Sequence, residues 1–368
     1  MLQSAWRRSE PCRWTPWPPQ RAPTPGSSLV SAEGRPDVSV IIVSWNVREL
    51  LGQCLDSLLA LCDGGDVAPD GLLSLGQRTV DVWVVDNASR DGTLTMLAER
   101  FPWVQAIDAE RNLGFTRGNN LALRRCSGRY VLLLNPDTIV TRSPGGPDAI
   151  SLLIDLADSA PDIAVVGPRL VYGDGSPQSS RRRFPSLMMA LMESTPLERL
   201  FPRNRWARRY RMQDAPDDVT QDVDWVTGAC MLVQREALDE VGVFDEGYFM
   251  YSEELDLCRR LRAAGWRIVY EPRATVVHYE GQSSGQVLAR RQLLFDSSKV
   301  RYFEQHEGPT KARLLRTSLL AGYAAEIIIE GFKWLLGHKR ALRRERMRAY
   351  RALLCSGLDP HQAREVTP

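Results

Sequence analysis

Most signatures that would place an α/β protein in a well-marked class are missing from this chain. Its 368 residues contain no GxGxxG after an apolar run and no GxxxxGK[ST], which argues against a dinucleotide-dependent oxidoreductase and against a P-loop NTPase. Histidine is scarce, with four residues, and the seven cysteines (Cys12, Cys54, Cys62, Cys126, Cys230, Cys258 and Cys355) are scattered without a CxxC pair. An odd, unclustered set indicates neither a zinc site nor a disulfide framework and fits reduced thiols in a cytoplasm. No internal repeat is evident. Neither sign of charge dominates, since 47 Lys and Arg against 45 Asp and Glu leave a net +2. A nucleic-acid-binding protein working through Arg-rich ends would need a recognisable module, and none is found. Residues 1–36 are rich in Pro, Arg, Ser and Trp, with no apolar core of signal-peptide length and no periodicity, and read as a disordered extension.

What is present suits one large α/β domain with an appendage, at 43% hydrophobic and 25% charged residues. Three short apolar runs stand out. Val38 to Val43 ends at Ser44-Trp45-Asn46, Val80 to Val85 ends at Asp86-Asn87-Ala88-Ser89, and Tyr130 to Leu134 ends at Asn135-Pro136-Asp137. Continuous apolar runs of this length are expected as buried strands. Their polar carboxyl ends would share one edge of a parallel sheet, where open α/β sheets bind ligands. The Asp86 turn could equally cap a helix starting near Thr93.

A fourth segment, FDEGYFMYSEELDLCRRLRAAGW from Phe244 to Trp266, sets three carboxylates at the mouth of a helix beneath an aromatic loop. Ser252 is the expected N-cap, and Glu253, Glu254 and Asp256 fill the first turn, where the helix dipole favours negative charge. Leu257, Cys258, Leu261 and Gly265 follow Glu254 at helical spacing, so Glu254 heads the inward stripe and Glu253 and Asp256 flank it. An ordinary acidic first turn is the alternative.

In order, VSVIIVSWN, VVDNASRDGT, ERNLGFTRGNN, LLLNPDT, WVTGACMLVQREAL, FDEGYFMYSEELDLCRRL and HYEGQSS resemble the family 2 glycosyltransferases of the rhamnosyltransferase-like branch, over Asp37 to Gln286. The resemblance implies a GT-A (nucleotide-diphospho-sugar transferase) Rossmann-like fold with a mostly parallel central sheet. It implies inverting transfer of a sugar, rhamnose by analogy, from a nucleotide-diphosphate donor to a hydroxyl of a glycan or lipid-linked acceptor. It sets the donor's base and ribose against Ser44, Trp45, Asn46 and Asp86, with Arg111 and Asn112 at the border. Asn135 and Asp137 occupy the DxD-type element, where Asn replaces the first acid and leaves Asp137 as the better ligand for Mg²⁺ or Mn²⁺. His278 approaches the metal or diphosphate, and Trp225, Gly228 and Ala229 lie on the acceptor side. Glu254 holds the place of the family's base, the second acid of a Glu-Asp pair. Because that Asp is Glu here, Glu253 and Asp256 compete for the role. The same two departures motivate the alternative of a non-catalytic sugar-nucleotide or glycan-binding protein of this fold.

Beyond the resemblance, Arg181-Arg182-Arg183 could face phosphates of the donor or of a lipid-linked acceptor, or be a solvated face. An apolar segment from Ser318 to Leu336 precedes His338 to Arg351, which holds seven Lys or Arg against the single acid Glu345. Tyr323, Glu326, Glu330 and Lys333 form a polar stripe, so the segment reads as amphipathic rather than transmembrane. Packing on the catalytic domain and attachment to an anionic membrane surface on the inner face of the cell membrane both remain open. The expected organisation is a disordered extension over 1–36, a GT-A domain over 37–290, and C-terminal helices with a basic amphipathic region over 291–368.

Overall fold

The computed structural model describes residues 35–62, 67–142, 146–193, 204–279, 288–337 and 339–359. Residues 1–34 of the N-terminal extension and residues 280–284 of the HYEGQSS motif lie outside them. Thirteen strands are described: β1 (Val38–Ser44), β2 (Leu73–Leu75), β3 (Arg78–Asp86), β4 (Gln105–Asp108), β5 (Tyr130–Leu134), β6 (Thr138–Val140), β7 (Ile163–Val171), β8 (Pro177–Gln178), β9 (Arg181–Arg182), β10 (Gln221–Asp222), β11 (Trp225–Val226), β12 (Cys230–Gln234) and β13 (Arg267–His278). The central sheet runs β10-β13-β7-β12-β5-β1-β3-β2, with β4 on β3, β6 on β13 and β8 on β7, while β9 and β11 form a separate ribbon.

The parallel pairings are β1 with β3 and β5, β3 with β4, and β13 with β7. Every residue of β1 is buried, as expected of a parallel strand covered on both faces. Val38, Val40 and Ile42 point into one core, with Leu51, Leu55 and Leu58 of the helix Arg48–Leu59 and Leu153 of the helix Ala149–Asp158. Ile41 and Val43 point into the other, with Leu257, Cys258 and Leu261 of the helix Glu253–Ala263 and with Leu315 and Leu319 of the helix Pro309–Leu335. Burying each such side chain contributes about 1.5–3 kcal/mol. Antiparallel β12 joins the parallel halves by pairing with both β5 and β7. The register sets Ser44 beside Asp86 and Ile42 beside Leu134, so the three apolar runs end at one edge. Cys54, Cys126, Cys230, Cys258 and Cys355 are free thiols.

Candidate active site

At that edge a cavity of ≈610 Å³ opens between the strand ends, the aromatic loop before the helix Glu253–Ala263, and the helix Leu288–His306. Its size lies within the roughly 300–1,000 Å³ of small-ligand sites.

The first wall follows from strand pairing. After β5 the chain turns through Asn135, Pro136 and Asp137 into β6, which pairs antiparallel with the end of β13 and sets Thr138 opposite His278. The turn is pinned by the Asn135 amide donating to Ala229 O at 2.9 Å and the Tyr279 amide donating to Asp137 O at 2.9 Å. His278 Nε2 thereby lies 3.3 Å from Asp137 Oδ1 and 3.3 Å from Asn135 Nδ2, while Nδ1 lies 2.9 Å from Gln178 Oε1. With Gln178 accepting, Nδ1 carries the hydrogen and Nε2 presents a lone pair to the cavity beside a carboxylate. A lone pair and a carboxylate oxygen facing each other form a cation-seeking pair. Two ligands at right angles in an octahedron of about 2.1 Å bonds are about 3.0 Å apart, so a hard divalent ion fits this pair, with Gln178 orienting the imidazole from behind. No group of three or more His, Cys, Asp or Glu able to hold a metal occurs among the described residues. Such an ion would therefore take its remaining ligands from substrate phosphates and water, as Mg²⁺ and Mn²⁺ do.

The second wall is carboxylate. Glu253 and Glu254 both line the cavity, and each has a buried Oε2 with no hydrogen-bond partner in the protein. Burial pushes the Glu253 carboxyl well above its ordinary range, and the neighbouring Glu254 charge raises it further. Burial also raises Glu254, but amides of its own residue, Gly228 and Leu255 and the Arg182 charge oppose the shift. Glu254 is therefore the more easily ionised of the pair. Asp256 is not part of the lining: it is buried in an ion pair with Arg260 at 2.9 Å and accepts from His306 at 2.7 Å. Glu253 and Asp256, expected on the flank of the stripe that Glu254 heads, are both buried more deeply than Glu254.

Ser252 stands at the N-cap position but makes no side-chain capping bond, and both Tyr251 and Ser252 adopt left-handed backbone, at φ 70° and 66°. Such strain costs about 1–3 kcal/mol per residue and persists only where the surroundings enforce it. Here Ser298 Oγ donates to Met250 O at 2.8 Å, Tyr251 packs edge-on to Phe295, and the Phe115 amide donates to Phe249 O at 2.9 Å. Gly114 makes that last approach possible, having φ 81° and leaving only 2.5 Å between a built Cβ and Phe249 O. Gly114→Ala is expected to cost about 1–3 kcal/mol of stability and to weaken ligand binding in the cavity, measured by denaturant unfolding and calorimetry.

Of the expected donor-side residues, Trp45, Asn112, Asn135 and Asp137 line the cavity. Ser44 and Asp86 are buried just beneath, each with an unpartnered oxygen, and Asp86 Oδ2 accepts from the Ser89 amide at 3.0 Å. Asp86 therefore closes the turn and does not cap the helix Thr93–Arg100, whose N-cap position is Gly92. Asn46 lines a separate shallow depression and accepts from the Arg90 amide at 2.7 Å, while Arg111 is exposed and outside the lining. Trp225, Gly228 and Ala229 all border the cavity, with Gly228 against the Glu254 side chain.

Three further groups line the cavity that the motifs do not single out. Asn87 rather than Asp86 reaches it, bridging Gly114 O and the Leu113 amide. The Arg181 to Arg183 run divides: Arg181 donates to Ala215 O and Pro216 O, Arg183 pairs with Asp214 at 2.8 Å, and only Arg182 reaches the cavity. Lys299, on the helix Leu288–His306, pairs with Glu193 at 2.7 Å. Burial acts to lower the Lys299 ammonium, but Glu193 and Asp296 more than offset it. Residue 290, the expected domain boundary, falls inside this cavity-lining helix.

A Rossmann-like sheet whose strand ends open on a nucleotide-sized cavity, with an Asn-Pro-Asp turn, a histidine and paired glutamates, defines a GT-A glycosyltransferase. The profile of the family described as "Glycosyltransferase like family 2" matches residues 36–293, and the chain belongs to that family. It is similar to the N-acetylglucosaminyl-diphospho-decaprenol L-rhamnosyltransferase of Mycobacterium tuberculosis, with 34% identity over 258 residues, covering 66% of this chain and 82% of that one. It is also similar to the rhamnosyltransferase WbbL of Escherichia coli K12, with 49% identity over 57 residues, covering 16% of this chain and 22% of that one. Among solved structures it shares its fold with GalNAc-T7 in complex with UDP, GalNAc and Mn²⁺, at TM-score 0.50 and 15% identity over 74% of this chain and 48% of that one.

Proposed function

We propose that this glycosyltransferase moves a hexose, L-rhamnose foremost, from a nucleoside-diphosphate donor to a hydroxyl of a lipid-linked glycan, inverting the anomeric centre by one displacement. The observation that carries the proposal is that one cavity is lined by both the Asn135, Asp137 and His278 group and the paired Glu253 and Glu254. The donor and acceptor classes draw support from the relative acting as an N-acetylglucosaminyl-diphospho-decaprenol L-rhamnosyltransferase.

As the anomeric bond breaks, negative charge collects on the departing diphosphate. Asp137 and His278 would hold a divalent ion there, which supplies Lewis-acid stabilisation when bound. Gln178 fixes the orientation of the imidazole from behind, and the Asn135 amide, 3.3 Å from Nε2, would turn aside when the ion is bound. Glu254 takes the proton of the attacking hydroxyl, because it is the member of the pair that ionises first and its raised basicity brings it nearer the working pH. Burial and the Glu254 charge favour the protonated form of Glu253 beside it. Trp45, Asn112 and Asn87 would contact the nucleoside side of the donor, and Arg182 and Lys299 the acceptor side.

Nucleoside-diphosphate release from a panel of dTDP-, UDP- and GDP-sugars, with and without Mg²⁺ or Mn²⁺ and with an N-acetylglucosaminyl-diphospho-polyprenol acceptor, tests the proposal. Metal-dependent release from one donor, most of all dTDP-L-rhamnose, is expected. Absence of both release and donor binding would overturn it, and donor binding without turnover in the presence of acceptor would turn the reading to a non-catalytic sugar-nucleotide binder.

A further inference from the structure

The helix Pro309–Leu335 is amphipathic, but it faces the opposite way from what its composition suggests. Its polar stripe is turned inward: Tyr323, Glu326 and Glu330 are buried. Tyr323 donates to the buried Asp296 and stacks on Tyr350, and Glu330 accepts from Arg343 at 2.7 Å and Lys333 at 3.1 Å. Over the last turns of the helix the side left facing outward is apolar. Ile328, Phe332 and Leu335, at spacings of four and three, are 73%, 64% and 67% exposed, and Leu336 beside them is 70% exposed. Large apolar side chains grouped on one helix face of a water-borne surface mark an interaction site.

The neighbouring helix, Arg340–Ser356, supplies the character of the partner. Lys339, Arg340, Arg344, Arg346, Arg348 and Arg351 are exposed, and Lys339, Arg344, Arg348 and Arg351 have no carboxylate partner among the described residues. The guanidinium groups of Arg340 and Arg344 lie 5.4 and 6.0 Å from the Trp334 ring centroid, placing an aromatic between the apolar patch and the basic one. Among the described residues no helix is long and apolar enough to cross a membrane. The apolar stripe runs along the side of a helix, as contact in the plane of an interface requires.

We infer that Ile328, Phe332, Leu335 and Leu336 enter the acyl boundary of an anionic leaflet while Arg344, Arg348 and Arg351 meet its headgroups. Charge selects this occupant over a second copy of the chain, since a two-fold contact through the stripe would bring two clusters of arginines together, whereas anionic lipids neutralise them. The device also reaches the active site. Tyr323 holds Asp296, which lies 3.7 Å from the Lys299 ammonium on the cavity wall. The membrane-facing helix and the acceptor side of the cavity are thereby one braced unit, presenting the site to a substrate held in the same leaflet. The surface stands whether or not the transfer reaction does.

Co-sedimentation of the full-length protein with phosphatidylcholine vesicles, with and without phosphatidylglycerol, tests the inference. Binding is expected to need phosphatidylglycerol and to weaken with salt. Phe332→Glu with Leu335→Glu is expected to lower the partition at least about tenfold, and Arg344→Glu, Arg348→Glu and Arg351→Glu together roughly a hundredfold. Because these positions are exposed, circular dichroism and thermal melting should match the parent protein. Absence of binding to anionic vesicles overturns the inference, as does unchanged binding by folded variants. A dimer that Phe332→Glu dissociates, with no vesicle binding by the parent, assigns the face to a second copy instead.

Discussion

Glu254→Gln is expected to lower turnover by about 10²–10⁴-fold while leaving donor binding nearly intact, whereas Glu253→Gln retains most of the activity. The asymmetry follows from how burial acts on two adjacent acids. Both carboxyls are desolvated, but only Glu254 has backbone amides of Gly228 and Leu255 and the Arg182 charge to favour its ionised form. Burial and the Glu254 charge favour the neutral form of Glu253, which an amide imitates, while an amide at 254 removes the proton acceptor. The pH profile should carry the same mark. A base with a raised pKa is protonated over a wider acid range, so the acid limb of turnover should lie above the ordinary glutamate value of 4.5. Single-turnover assays and calorimetry with the donor separate chemistry from binding. Equal losses in the two variants would show that the pair acts as one unit sharing a proton.

The same burial has a stability cost with a definite sign. Because the folded-state pKa of Glu253 is raised, its contribution to folding is fully present below about 4.5 and is lost as pH climbs through the folded value. Glu253→Gln removes the ionisable group and should raise the melting temperature at neutral and alkaline pH, with the gain shrinking as pH falls toward 5. Melting curves at a series of pH values check this. A variant that is more stable and still active would identify Glu253 as an electrostatic spacer for its neighbour and not as the base.

Much of the frame was legible because parallel strands buried on both faces must be continuously apolar. The runs ending at Ser44, Asp86 and Asn135 announce both the strands and the edge where they meet. Antiparallel β12 and the return of β13 on β6 are set by contacts distant in sequence, so His278 beside Asp137 was legible only through a resemblance to known motifs. The Arg181 to Arg183 run shows a different limit. A strand's period of two sends neighbours to opposite sides, and no composition says that Arg182 alone meets the cavity. Asp256 shares a helix turn with Glu253 and Glu254, yet His306, fifty residues on, draws it away. In the helix Pro309–Leu335, periodicity tells which residues share a face but not which face is buried. That choice was made by Asp296 and Arg343, partners from other helices.

Asp137→Ala is expected to lower turnover by at least about a hundredfold and to abolish its response to Mn²⁺ or Mg²⁺, because Asp137 is the carboxylate that lies 3.3 Å from His278 Nε2 and no group of three or more metal-binding side chains occurs among the described residues to take its place. His278→Ala should cost less, and Gln178→Ala about tenfold in apparent metal affinity, since it removes only the partner that orients the imidazole. Titrating Mn²⁺ against product release in the three variants orders these effects. The informative contrast is Asn135→Asp, which restores the second acid beside His278 Nε2, 3.3 Å away. If the site holds a divalent ion, the added carboxylate should tighten metal binding and shift half-activation to lower Mn²⁺. If His278 instead contacts the diphosphate directly without metal, the extra negative charge should repel the donor and raise its KM at every metal concentration.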